Sequence, residues 1–200
     1  MSFIHSSAEV SDAADIARSA YVWHIAQVRE GARLGENVVV GRGAYIGSGV
    51  SVGDNSKIQN YALIYEPAVL EHGVFIGPAV VLTNDQYPRA CNPDGSLKSA
   101  SDWEAVGVTI KHGASIGARA VCVAPVTIGE WASIAAGAVV TRNVQPHALV
   151  AGAPARRIGW VGKSGVPLEA DDDMNLRDPV TGDIYAATGE ELALIEENID

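Results

Sequence analysis

The stretch GARLGENVVVGRGAYIGSGVSVGDNSKIQNYALIY, residues 31–65, decides the fold. Leu34, Val40, Ile46, Val52, Ile58 and Ile64 stand at every sixth position within it. The same register runs back through Val28, Val22, Ile16, Val10 and Ile4, and forward through Leu70, Ile76 and Leu82. It resumes later at Ile110, Ile116, Cys122, Ile128, Ile134 and Val140. Two places before each of these positions lies Ala, Val or Ser, such as Ala32, Val38, Ala44, Val50 and Ser56. A large and a small inward side chain two residues apart is strand behaviour, and a period of six does not fit a helix of 3.6 residues per turn. Three residues after the aliphatic position the chain prefers Gly or Asn, as at Gly31, Asn37, Gly43, Gly49, Asn55, Gly73, Gly113, Gly137 and Asn143. These residues tolerate the positive φ of a tight corner.

Two-residue strands joined by such corners can bury their inward side chains only against coils above and below, which makes a parallel β-solenoid. Three hexads per coil give a repeat of 18 residues and six to seven coils, rising by about 4.8 Å each. Cys122 replaces an aliphatic residue and reads as core filling.

Leu82 and Ile110 are out of step with the six-residue period, so residues 83–107 are expected to loop out of the coil. That segment is polar and turn-rich, and long loops in compact domains carry function more often than not. Beyond Val140 the sequence TRNVQPHALVAGAPARRIGW ends the regular repeat. The expected division is a β-helix over residues 1–160 and an acidic extension over 161–200, with Asp171 to Asp173 in a row. Thr188 and Glu191 have capping-box spacing ahead of Leu192, Leu194 and Ile195, which predicts a short terminal helix.

The formal charge of −10 disfavours nucleic acid and anionic membranes as partners. No run of eighteen apolar residues or signal-like leader is visible, so a soluble cytoplasmic protein is expected. Two cysteines, Cys91 and Cys122, lack metal-type spacing and are expected as free thiols.

Several stretches go beyond the general repeat: YVWHIAQV (21–28), SKIQNYALIYEPAVLEHGVFIGP (56–78), TND (83–85), GASIGARAVCVAPVTIGEWASIAAGAVVTRNV (113–144) and AGAPARRIGW (151–160). Together they resemble bacterial hexapeptide-repeat N-acetyltransferases that acylate the 3-amino group of UDP- or dTDP-linked sugars for surface polysaccharides. The resemblance covers about residues 3–160. It implies a left-handed winding, although ordinary crossovers are right-handed. It also implies a homotrimer with sites between neighbouring prisms, acetyl-CoA as co-substrate and no metal. This chain departs from the pattern at Gln27, where related sequences often have His. Gly162, Ser164, Asp178 and Thr181 stand where some members carry a Cys-rich tail, so no tail zinc site is expected.

Acetyl transfer needs a neutral amine positioned on the thioester, a donor for the developing oxyanion and an acceptor for the amine's proton. The resemblance sets Asn84 against the amine, and Glu66, 18 residues earlier, should share its corner one coil away. An Asn in a turn and a solvated surface carboxylate are the plainer readings of the same two residues. Trp23 offers a stacking face for the nucleotide sugar, and His24, Lys57, Asn60, Tyr65 and Arg89 offer polar contacts. For the coenzyme, Arg156 and Arg157 suit phosphates, while the small Ala135, Ala136 and Gly137 let pantetheine approach the backbone. His72 or His24 would be the base if the acceptor were a hydroxyl and the enzyme an O-acetyltransferase; His5, His112 and His147 read as surface residues. A zinc hydratase on this fold would need three converging His. A non-catalytic binding module is the remaining alternative.

Overall fold

The computed structural model describes residues 2–171, 174–189 and 191–198. Short strands such as Tyr21–Val22, Gln27–Val28 and Arg33–Leu34 follow one another at six-residue intervals. They stack into three parallel sheets, the faces of a triangular prism. The register is the predicted repeat: Tyr21 pairs with Val39, Gln27 with Tyr45 and Arg33 with Ser51. Strands Phe3–Ile4, Glu9–Val10 and Asp15–Ile16 begin the first, second and third faces of the lowest coil. We call the corner between first and second faces corner I, that between second and third corner II, and the return to the next coil corner III. Coils are counted upward from the amino terminus.

The interior is a column of aliphatic side chains. Ile46, Ile58, Ile64, Leu70, Ile76, Leu82, Ile110 and Ile116 are all at most 1% exposed. Each such burial contributes about 1.5–3 kcal/mol. Cys122 lies in the same column, and burial pushes its thiol pKa up to about 12. Ser56, a hydroxyl in the small inward row, is fully buried and satisfied: its Oγ accepts the Val74 N–H (3.0 Å) and donates to the Glu71 carbonyl (3.1 Å). The lowest coil has no neighbour beneath it, so Ile4, an inward residue by pattern, is 42% exposed.

Gly and Asn occupy left-handed corners as expected, from Gly31 (φ 69°) and Asn37 (φ 58°) to Gly137 (φ 72°). Asn143 is an exception, absent from the positive-φ set; its Oδ1 instead accepts the Thr127 N–H at 2.8 Å. Bulky residues also take the left-handed conformation, among them Ile25 (φ 49°), Tyr61 (φ 60°) and Trp131 (φ 57°). The rings of Tyr61 and Trp131 lie flat where a Cβ on Gly43 or Gly113, one coil below, would have to be.

Chain leaves the coil after Val81–Leu82 and returns at Val108–Ile110, so Leu82 pairs with Cys122 and Val69 with Thr109 across the insertion. The extruded loop therefore stands at corner II of the fifth coil. Its neck is closed by the Val106 N–H donating to the Asn84 carbonyl (2.9 Å), and Gly107 is packed against the Pro67 carbonyl. At the top, Ala148–Gly152 joins the first face in parallel and folds back on Ala155–Trp160 as an antiparallel hairpin.

The extension is a four-stranded antiparallel sheet of Glu169–Ala170, Leu176–Arg177, Ile184–Thr188 and Glu191–Glu196. The predicted terminal helix is thus a strand: Thr188 pairs with Glu191 and Tyr185 with Leu194. Gly189, at φ 64°, reverses the chain there, and cross-strand pairing with the β-prone IYAAT segment outweighs a six-residue helix that could not be stable alone. Of the acidic run, Asp172 and Asp173 lie outside the described residues. The stretches VGKSG and DPVTG do come together, around Asp178. Its fully buried carboxylate accepts the Ser164 hydroxyl (2.8 Å) and the N–H groups of Val180 (2.9 Å), Thr181 and Ser164 (both 3.3 Å).

Candidate functional site

Because Leu63 pairs with Val81 and Ile64 with Leu82, Asn84 stands directly above Glu66 on corner II, one coil higher. Asn84 is half-buried, and its side-chain amide makes no hydrogen bond to another described residue. Glu66 curls down over Gly47, filling the space that a Cβ there would take. On neighbouring corners the equivalent residues do the same with a partner: Asp54 Oδ1 accepts the Glu36 N–H (2.7 Å) and Asn60 Oδ1 the Arg42 N–H (2.9 Å). Glu66 is one methylene longer than Asp, and its Oε2 is buried without any hydrogen-bond partner. An unpaired buried carboxylate oxygen is costly.

Around this pair stand groups that the sequence reading did not single out: Tyr45, Arg29, Glu30 and Ser48. The expected contact residue Tyr65 packs against Tyr45, ring centroids 5.2 Å apart. Burial, with the nearby Glu66 carboxylate, raises the Tyr45 pKa. Arg29 is paired with Glu30 (3.0 Å), and the Ser48 hydroxyl donating to Glu30 (2.7 Å) is the first cause holding that carboxyl at about 2. Corner II bears no histidine.

The other candidates lie elsewhere on the prism. Trp23, His24 and Asn60 line a pocket of about 220 Å³ on corner I, with Arg42 and Gln59 beside them. Lys57 projects from the first face, between Val39 and Phe75. Arg89 is exposed on the loop, its guanidinium bonded to the Pro88 carbonyl (3.0 Å). Ala135, Ala136 and Gly137 form corner I of the seventh coil, above Gly117 and Gly77. A Cβ at Gly117 would meet the Ala136 nitrogen at 2.5 Å and one at Gly77 the Ala118 nitrogen at 2.6 Å, so this track stays smooth.

Arg156 and Arg157 border a cavity of about 330 Å³ at the top of the prism, together with Arg142, which sequence reading missed. Arg157 is partly committed, 4.2 Å over the Trp160 ring. His72 stacks on His112 (4.8 Å, 9°) at corner III, and His5 on His24 (3.5 Å) at corner I. Among the described residues no group of three or more His, Cys, Asp or Glu is arranged to hold a metal.

Within one chain, then, Glu66, Asn84 and Tyr65 share corner II, whereas the proposed coenzyme track and Trp23 share corner I. The second face separates them. Arg142 and Tyr45 could have been found from the coil register, since Arg142 lies two coils above Asn84 and Tyr45 one coil above Gln27.

With this geometry in hand, comparison with known proteins is informative. The family described as the hexapeptide repeat of succinyl-transferase matches residues 31–61 and 107–142. These two stretches are hexapeptide repeats. The chain is 47% identical over 72 residues to a dTDP-3-amino-3,6-dideoxy-alpha-D-galactopyranose 3-N-acetyltransferase of Aneurinibacillus thermoaerophilus, covering 36% of this chain and 38% of that protein. It is 37% identical over 107 residues to the bifunctional protein GlmU of Psychrobacter arcticus, covering 50% of this chain and 22% of GlmU. The chain therefore spans well under half the length of these curated relatives. A hexapeptide-repeat-containing acetyltransferase from Vibrio cholerae, solved with acetyl coenzyme A, shares its fold at TM-score 0.53 and 25% identity, over 65% of this chain and 70% of that one. No helix among the described residues is long and apolar enough to cross a membrane.

Proposed function

We propose that this chain is an acyltransferase moving the acetyl group of acetyl-CoA to the 3-amino group of a UDP- or dTDP-linked amino sugar. The observation that carries this reading is Asn84 with a free amide directly above Glu66, whose buried Oε2 has no partner among the described residues. An amine held by the Asn84 side chain would reach this carboxylate once Glu66 swings up from its place over Gly47. The Asn84 carbonyl orients the amine, whose lone pair attacks the thioester carbon. The C–N bond forms, the C–S bond breaks, and the amine's proton passes to the Glu66 carboxylate and on to the departing thiolate. The 3-N-acetyltransferase activity for which the Aneurinibacillus relative is named and the bound coenzyme of the Vibrio structure support this assignment.

The outward residues of the second face support self-association. Above Glu9 and Gln27 they run Tyr45, Leu63, Val81, Val121 and Val139, an apolar ridge that a monomer would leave facing water. Three copies closing around that ridge bring corner I of one chain beside corner II of the next, so the coenzyme track meets Asn84. Arg142, Arg156 and Arg157 then hold coenzyme phosphates at the top, and Ala135, Ala136 and Gly137 receive pantetheine. Lys57, Tyr65 and Arg89 contact the acceptor.

An O-acetyltransferase is the second reading, favoured by 32% identity over 110 residues to serine acetyltransferase of Escherichia coli. It needs a histidine base. His72 is stacked at corner III, and His24 lies three coils below the level of Asn84, roughly 14 Å away along the axis. Thiol release from acetyl-CoA with a panel of UDP- and dTDP-linked 3-amino sugars, set against serine and 3-hydroxy sugars, tests the choice. Turnover on amines alone is expected; turnover on hydroxyls alone would overturn the N-acyl reading.

A further inference from the structure

The hairpin that closes the prism is irregular at one place. Leu149 pairs with Gly159 but Val150 pairs with Arg157, so Ile158 is an extra residue, and it is 66% exposed. In a regular strand Arg157 and Trp160, three apart, would point to opposite faces. The bulge brings them to one face: Arg157 stands opposite Val150 and Trp160 opposite Ala148, and these two partners are two apart on their own strand. The guanidinium accordingly lies 4.2 Å over the indole ring.

Both sides of this contact are held. Trp160 is half-buried against the core, and its carbonyl accepts the Leu168 N–H (3.0 Å). The next residue, Val161, is fully buried, with its N–H on the His147 carbonyl (2.9 Å). On the other side Arg157 Nη2 donates to the carbonyl of Gly189 (3.4 Å), the left-handed residue between Ile184–Thr188 and Glu191–Glu196. That tail hairpin is itself seated on the prism, since Tyr185 is fully buried with its ring 5.5 Å from that of His147.

The partners of Arg157 are an aromatic face and a carbonyl, both uncharged. They orient a guanidinium without neutralising it. Arg29 and Lys163 are instead paired with the carboxylates of Glu30 and Glu197. Among the described residues Arg157 has no carboxylate at ion-pair distance, although the extension beside it is acidic. It borders the cavity of about 330 Å³ with Arg142 and Arg156. A guanidinium already held in place loses less side-chain entropy when an anion binds.

We infer that Trp160 and the Gly189 turn are positioning elements of the upper cavity: they hold Arg157 charged and aimed for a phosphate of acetyl-CoA, which makes the acidic extension a working part of that site. The inference rests on the coenzyme assignment proposed above and adds what aims one of its arginines.

The test is calorimetric titration of the full chain with acetyl-CoA, beside the NMR signal of the Arg157 Nε–H, which the indole ring current displaces. Arg157→Ala is expected to weaken acetyl-CoA about tenfold, and Trp160→Leu about twofold to fivefold. Trp160→Phe keeps an aromatic face, so it should restore most of the affinity and of the displaced signal. The double variant should bind no more weakly than Arg157→Ala alone, because Trp160 acts through the arginine. Gly189→Val, strained at its left-handed φ, shifts the turn and should weaken acetyl-CoA about twofold with melting of the prism unchanged. Thermal melts confirm that the variants fold, and Trp160→Met serves should Trp160→Leu not. Parent-like affinity in Trp160→Leu, or additive losses in the double variant, overturns the positioning role; parent-like affinity in Gly189→Val removes the tail from it. Acetyl-CoA binding that none of these variants changes leaves the transferase reading standing and overturns this inference. No binding by the parent at millimolar concentration overturns the transferase reading, while the Trp160-dependent signal of Arg157 still decides whether the arginine is held.

Discussion

The carboxylate of Glu66 lies in the space where Gly47, one coil below, has no side chain. The two residues are therefore one unit: the missing Cβ lets the acid fold inward, and the inward fold buries Oε2 away from any partner. Gly47→Ala must push Glu66 out and would also meet its backbone N at 2.8 Å and the Ile64 carbonyl at 3.2 Å. The expected cost is about 1–3 kcal/mol in thermal unfolding, with acetyl transfer reduced more than the stability loss explains. Glu66→Gln keeps the shape, so it should retain the melting temperature while lowering kcat.

Asn84 separates fold from chemistry. Its backbone carbonyl closes the loop neck against Val106, but its side-chain amide bonds to no other described residue. Asn84→Ala keeps the neck and should change stability by no more than about 0.5 kcal/mol. Its kcat is expected to fall tenfold or more, with KM for acetyl-CoA unchanged. Steady-state kinetics beside a melting curve checks both, and normal turnover would remove Asn84 from the mechanism.

Arg142 and Arg156 share the upper cavity. Replacing either by Ala should raise KM for acetyl-CoA severalfold, and the effect should shrink at high salt, because exposed charge pairs are screened. Desphospho-coenzyme analogues distinguish phosphate binding from packing: a variant that loses phosphate contact no longer discriminates them.

Val121 stands in the middle of the apolar ridge on the second face. Val121→Glu should leave the coil intact, since the side chain points outward, and shift sedimentation from the proposed trimer to monomer. A trimer of undiminished stability would place the interface elsewhere.

Asp178 makes the tail sensitive to acid. Burial alone would raise its pKa, but the hydrogen bonds from Val180, Ser164 and Thr181 together outweigh burial and hold it below the ordinary value. A depressed carboxylate contributes stability that is present above its unfolded pKa, about 3.9, and lost as pH falls through the lower folded value. Asp178→Ala leaves four donors without their acceptor and should cost about 1–3 kcal/mol in the tail sheet. Amide exchange of Tyr185 and Leu194 reads this, while exchange in the prism stays unchanged.

What could be read from the residues differs between the two parts of the chain for a physical reason. In the prism every coil touches only its neighbours, so sequence separation translates directly into height and corner. Leu34, Val40 and Ile46 therefore disclose the period, the core, the break after Leu82 and the stacking of Asn84 on Glu66 before any coordinates. Handedness is not in that spacing.

The tertiary structure decided what depends on pairing between distant or unlike segments. Thr188 to Ile195 has helix-like signals, but a cross-strand partner at Ile184–Thr188 makes it a strand. Asp178 becomes a hub only because the turns near residues 164 and 181 close around it. Among the described residues, the free amide of Asn84 and the unpartnered Oε2 of Glu66 likewise follow from side-chain packing. The separation of corners I and II by an apolar face follows from the winding. Sequence by itself determined the prism and its levels; only packing in three dimensions determined which polar groups were left without partners, because that is settled by neighbours 18 or more residues away.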